Sequence, residues 1–432
     1  MERTTWLDGL RGLAAAIVAV DHYFMGGVLD SAFVSFWTDP PEENRRLIQL
    51  PPIRLLFAAH AMVSLFLVIS GYAISIGLLQ IRNKNSGDFL RRLSSAVTRR
   101  VFRIYLPVFV ITAISQLLYF CNLFQWNFGD STWGRQPWRE PWAHVTFVFR
   151  YMVDNMNIIA FQGNPGLNGQ LWTMGLEFRG SCIVYLTILG LAFWKPQLRR
   201  IAIGVLAAYW FYFGLWDIFG FLAGLYIAER RLAEHARTGE DEFKLPYHIP
   251  GPKLASIHLS SWFNYLYFSF GVYLVCLSDD GFLPTGYKFL ELVGSSRWDG
   301  HWDVVSKCWK TAGSVMMVHA ISKSPTLQRP LNSRPVQYLG KVSFSLYLVH
   351  QAVYHLVRDP VIHTLWYLAT GTSYKEIGGG NASKQTAPFA FAWLVGIAII
   401  TPINLYVADL YTKHVDERCV RIARKIEKMI TR

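Results

Sequence analysis

One apolar stretch carries groups that can do chemistry. Residues 7–24 read LDGLRGLAAAIVAVDHYF, with Arg11 near the start and Asp21-His22 near the end. A neutral imidazole accepts a proton from a hydroxyl near pH 7. A guanidinium grips phosphate or carboxylate through several N–H donors. Ionisable groups inside a bilayer are costly and therefore point to function. On a helix, eleven residues at 1.5 Å each separate Arg11 from His22 by roughly 16 Å along the axis. Steps of about 100° return the second residue nearly to the face of the first. The plain alternative is an interfacial anchor at Arg11 and a packed histidine at His22.

Four other stretches carry candidates. Ser70-Gly71 interrupts the apolar run 60–75, where small residues let helices approach; Ser70 can also contact a substrate. Arg99, Arg100 and Arg103 lie about one helical turn apart at the edge of an apolar span. They form a phosphate fork or simply a positive flank. Glu177 and Arg179 sit inside the apolar segment that follows Gln170. Two positions apart, they point different ways, so each needs a partner on another helix. Ser343, Tyr347, His350 and Tyr354 share one helical face, which should turn into the bundle. Interhelical hydrogen bonding is the simpler reading of that face. His355 to Asp359 matches a short HxxxD acyltransferase pattern, but two fixed positions arise easily by chance and the surroundings do not fit.

The elements that must position these residues are membrane helices. The chain has 432 residues, 52% hydrophobic and only 16% charged, whereas soluble chains run nearer a quarter charged. Sixteen Trp and twenty-one Tyr suit aromatic belts at membrane interfaces. The fold class is all-α, a polytopic bundle of ten spans over 9–29, 58–80, 101–122, 171–194, 201–214, 215–229, 262–279, 311–322, 342–357 and 387–409. The fifth and sixth are short and meet at Gly214, and the eighth is short. No internal repeat is visible.

The net charge of +13 does not indicate a nucleic-acid partner, because the basic residues cluster between apolar spans. With Met1 in the cytosol, cytosolic segments hold 27 Lys and Arg and the opposite side 13. That bias places both termini in the cytosol. The membrane domain covers 1–412, and 413–432 is a basic cytosolic tail able to lie on an anionic leaflet. The sequon at Asn381 falls on the non-cytosolic side. The loop 122–170 is long and rich in Trp, with Trp126, Trp133, Trp138 and Trp142 followed by Gln162 to Gly166; it reads as a lid, an acceptor platform or interfacial packing. Residues 236–258 read as a polar linker. Five cysteines show no zinc-site or disulfide spacing, so no metal is expected. No cleavable signal peptide is evident.

Taken in order, these stretches resemble the acyltransferase family 3 of polytopic membrane proteins. The match rests on Arg11 and His22, the FLVISGY run at 66–72, the Arg-Arg-x-x-Arg-Ile-x-x-Pro run at 99–107, Leu171-Trp172 with Glu177, and 343–350. The wording GLEFRGS at 175–181 is similar to fungal members that modify small natural products, although Arg179-Gly180 stand where the family usually has a second aromatic residue. The resemblance implies O-acyl transfer from cytosolic acyl-CoA, with a short acyl group such as acetyl, to a small-molecule hydroxyl on a terpenoid or polyketide. His22 and Arg11 are then catalytic. Arg100, Arg103 and Ser70 bind the CoA co-substrate, and Glu177, Tyr347 and His350 contact or orient the acceptor. Acyl-CoA is a co-substrate, not a resident cofactor. The expected location is the endoplasmic reticulum or another endomembrane. Two rival readings are a transporter and the passage of acyl groups across the bilayer to a luminal sugar or lipid.

Overall fold

Every regular element among the described residues is helical, as expected of a chain whose apolar runs must satisfy their own backbone groups. The structure is a computed structural model and describes residues 4–25, 29–84, 87–124, 137–159, 166–238, 254–279, 281–298 and 301–430. Its long helices are α1 (Thr5–Phe24), α2 (Ala59–Asn83), α3 (Phe89–Phe120), α4 (Pro141–Asn155), α5 (Thr173–Gly190), α6 (Pro196–Tyr212), α7 (Trp216–Thr238), α8 (Leu254–Val275), α9 (Trp302–Lys323), α10 (Arg334–Thr370), α11 (Thr386–Tyr411) and α12 (Glu417–Ile430).

Each of the ten predicted spans falls on one of these helices, with differences at the ends. α3 begins twelve residues before the predicted 101, because the basic run 89–100 is a good helix former without being apolar. α9 begins at Trp302, not 311. Asp303, Lys307 and Lys310 break the apolar run in sequence, but Lys307 bonds Asp303 one turn away and Lys310 bonds Asp279. The loop 122–170 contains α4, whose Pro141 occupies its first turn, where a missing N–H costs nothing. Trp126, Trp133 and 162–165 lie outside the described residues, as does 239–253 of the expected linker. The linker's flanks are helical, closing α7 and opening α8. By length and composition, three helices are able to cross a membrane: α2, α3 and the continuous run Thr386–Ile430.

The chain divides into two units. The first comprises 1–14, 31–97 and 179–337; the second comprises 15–30, 98–178 and 338–432. α1, α3, α5 and α10 contribute to both.

In the first unit α2 and α7 touch backbone to backbone. A Cβ on Gly71 would stand 2.2 Å from the Phe221 carbonyl oxygen, and one on Gly224 would stand 2.3 Å from that of Val68. Only glycine permits this approach. A buried charge cluster closes one end of these helices. Glu229 on α7 accepts from Arg82 on α2 at 2.7 and 2.9 Å and from Arg199 on α6 at 2.5 Å. At the other end of α2, His60 Nδ1 lies 2.9 Å from Asp279, which also accepts from Ser306 and Lys310. The turn between α6 and α7 is made at Gly214, with φ +77°. Leu274, Tyr287, Trp298 and Trp309 form an apolar core in this unit.

In the second unit α3 is held to α11 where the Tyr411 hydroxyl donates to the Pro107 carbonyl at 2.5 Å. A π-helical turn, Thr412–Asp416, leads from α11 into α12. Cys419 and Ala423 of α12 are buried while its cations face outward. The tail is therefore a packed amphipathic helix.

Candidate active site

α10 presents the expected polar face. Tyr347, His350 and Tyr354 are all buried, His350 completely, and their spacing of three and four residues puts them on one side. The last turn of α1, also in the second unit, meets this face. His22 Nδ1 lies 2.8 Å from His350 Nε2. The two rings meet edge to edge and nearly coplanar, with centroids 5.1 Å apart and planes 22° apart. His22 is half-buried, and Asp21 beside it is buried. The Tyr354 hydroxyl donates to the Ala19 carbonyl at 2.8 Å, pinning the two helices one turn away from the imidazole pair. His350 Nδ1 faces the Leu346 carbonyl at 3.1 Å, a bond within its own helix.

A third segment closes the group. The turn Gly169–Trp172 opens α5 and bonds α10 in both directions. Gln170 Nε2 donates to the Leu348 carbonyl at 2.9 Å, and the Tyr347 hydroxyl donates to the Gln170 carbonyl at 2.7 Å. Thr173 Oγ1 lies 2.7 Å from the same hydroxyl. Tyr347 and Tyr354 flank His350 with centroids at 6.0 and 5.9 Å. Gln170, Thr173 and the Leu346 carbonyl were not singled out in the sequence. Helix geometry alone offers the Leu346 carbonyl to residue 350, but Gln170 and Thr173 carry no comparable signal.

Glu177 and Arg179 find separate partners, as their spacing requires. In the second unit Arg100 on α3 donates to Glu177 on α5. In the first, Arg179 grips Asp217 through Nε at 3.0 Å and Nη2 at 2.6 Å. Of the expected phosphate fork, Arg99 bonds Glu427 at 3.3 Å, Arg100 holds Glu177, and Arg103 is exposed. Arg99 and Arg100 thus engage carboxylates from helices that sequence spacing could not locate.

The first unit holds the remaining candidates. Arg11 pairs with Asp8 at 3.0 Å, one turn earlier on α1, and Ser70 is half-buried on α2. The discounted His355 is buried, with Nε2 on the Leu167 carbonyl at 3.1 Å. No group of His, Cys, Asp and Glu among the described residues could hold a metal ion.

The arrangement supplies a half-buried imidazole backed by a second imidazole, with hydroxyls and an Arg–Glu pair on neighbouring turns of the same unit. Such a group can take a proton from an alcohol and hold it. A family profile described as an acyltransferase domain matches residues 4–409. The chain is 24% identical to O-acetyltransferase PaAT-1 of Phomopsis amygdali, across 98% of this chain and 84% of the relative. It is 23% identical to acyltransferase clz18 of Cochliobolus lunatus, across 94% and 96%. It is 22% identical to acyltransferase R4 of a Phoma species, across 80% and 82%. No solved structure matches.

Proposed function

The chain belongs to acyltransferase family 3 and is an acyltransferase; on that premise we propose that it moves a short acyl group, acetyl, from acyl-CoA to a hydroxyl of a small molecule. The observation that carries this reading is the His22–His350 pair at 2.8 Å inside a chain matched almost end to end by the family. One relative is an O-acetyltransferase, which supports acetyl as the group and oxygen as the acceptor. The fungal source of the relatives and the apolar helices favour an acceptor of natural-product type, such as a terpenoid or polyketide.

His22 is the general base. It takes the hydroxyl proton as the alcohol oxygen bonds to the thioester carbon. The C–S bond breaks, and the leaving CoA thiolate receives the proton. Charge that develops on the thioester oxygen needs a nearby donor or cation. Arg100 and Arg103 serve the phosphates of CoA; a guanidinium carries five N–H donors, more than one carboxylate oxygen uses. Arg11, eleven residues before His22 on α1, also contacts the co-substrate. Tyr347 and Glu177 hold the walls of the site in place.

The protein on this reading is a multi-pass membrane protein of the endoplasmic reticulum or a related endomembrane, with both termini cytosolic. Three apolar helices and the basic bias of the expected cytosolic segments support it.

The test is comparative metabolite profiling of a deletion strain, followed by incubation of the accumulated compound with purified protein in proteoliposomes and labelled acetyl-CoA. The expected result is loss of one acyl increment in the strain and its restoration in vitro. Counterflow of the compound with no label transferred would make the protein a transporter. Label recovered only on a luminal acceptor would make it a transmembrane acyl carrier.

A further inference from the structure

Two ring contacts fix more than proximity. His350 Nδ1 faces the carbonyl of Leu346 at 3.1 Å, and a carbonyl only accepts. In the neutral pair, therefore, His350 carries its hydrogen on Nδ1, and its Nε2 holds a lone pair. That lone pair faces His22 Nδ1 at 2.8 Å, so His22 Nδ1 must donate. The lone pair of His22 then lies on Nε2, the nitrogen directed away from His350. Tautomers of buried histidines are set in this way by the bond at the other nitrogen.

We infer that His350 is a positioning residue: anchored by the Leu346 carbonyl, it sets the tautomer of His22 so that Nε2 is the base. This rests on the proposed role of His22 and extends it. The opposite tautomer would put hydrogen on His22 Nε2 and leave two lone pairs facing each other at 2.8 Å. The backbone of α10 excludes that state for as long as Leu346 and His350 remain in register, four residues apart on one helix.

The same chain of bonds decides where the proton goes. When His22 Nε2 takes the alcohol proton, the imidazolium donates through Nδ1 to His350 Nε2, and the two rings share the charge. His350 cannot pass a proton onward, because its own Nδ1–H ends on the Leu346 carbonyl, an acceptor too weakly basic to take the proton. The proton returns through His22 Nε2 to the CoA thiolate as the C–S bond breaks. One proton leaves the alcohol and one reaches the thiol, with none delivered to solvent along α10.

The test compares His350→Gln with His350→Phe in purified protein, with kcat and KM for acetyl-CoA measured separately. The Oε1 of glutamine can occupy the place of the imidazole Nε2 and accept from His22; phenylalanine fills the volume without an acceptor. The expected result is a fall in kcat of about 10- to 100-fold in His350→Phe with KM for acetyl-CoA unchanged, and recovery of most of that loss in His350→Gln. If the aromatic variant does not fold, His350→Leu supplies the apolar comparison. Equal kcat in the glutamine and apolar variants, or a change carried by KM, overturns the inference. The underlying reading fails by a different sign, transfer that survives His22→Ala.

Discussion

Arg100 and Glu177 form an ion pair between α3 and α5, each side chain about one-sixth exposed. The pair ties the turn that holds Tyr347 to the helix that carries the basic run 99–103. If Arg100 also meets CoA phosphate, the two partners are not equivalent. Arg100→Ala raises the KM for acetyl-CoA about tenfold, the scale of one charge-assisted bond, whereas Glu177→Gln leaves the cation in place and changes KM by less. Steady-state kinetics of both variants check this. Equal KM values would reduce the pair to a structural brace.

Arg11→Ala separates two roles in the same way. A raised KM with kcat kept marks a residue that grips the distant end of the co-substrate. A pure loss of kcat would place the guanidinium at the reacting carbon.

Glu229 is 3% exposed and bridges two buried arginines. Glu229→Ala leaves both cations buried without their carboxylate, a change that costs about 3–5 kcal/mol. Thermal unfolding in detergent should show a large drop in the midpoint. Glu229→Gln, which keeps an acceptor, falls between the two.

Much of this architecture is legible in sequence. Apolar runs interrupted by Gly, Pro and basic residues locate ten helices, and the periodicity of Tyr347, His350 and Tyr354 identifies the inward face of α10. What sequence cannot supply is the partner. His22 and His350 are 328 positions apart, and nothing local to either says that they meet. Glu177 and Arg179 show that partners are required, but only the fold names Arg100 and Asp217. Helix ends were misplaced where charges satisfied elsewhere mimic a boundary, as at Lys307 and Lys310. α4 was missed because it lies within a long Trp-, Pro- and Gly-rich stretch read as a loop.

Gly71 tests the close approach of α2 and α7. Gly71→Ala forces a methyl group against the Phe221 backbone, and overpacking of this kind costs about 1–3 kcal/mol. The expected outcome is a lower unfolding midpoint with kcat little changed in the fraction that remains folded.

The most direct measurement replaces the imidazole on α1. Purified His22→Ala, reconstituted beside the parent protein, is given labelled acetyl-CoA and the acceptor alcohol. The account predicts that transfer is lost while expression, membrane insertion and the unfolding midpoint stay near those of the parent. Transfer at the parental rate from the alanine variant would contradict it.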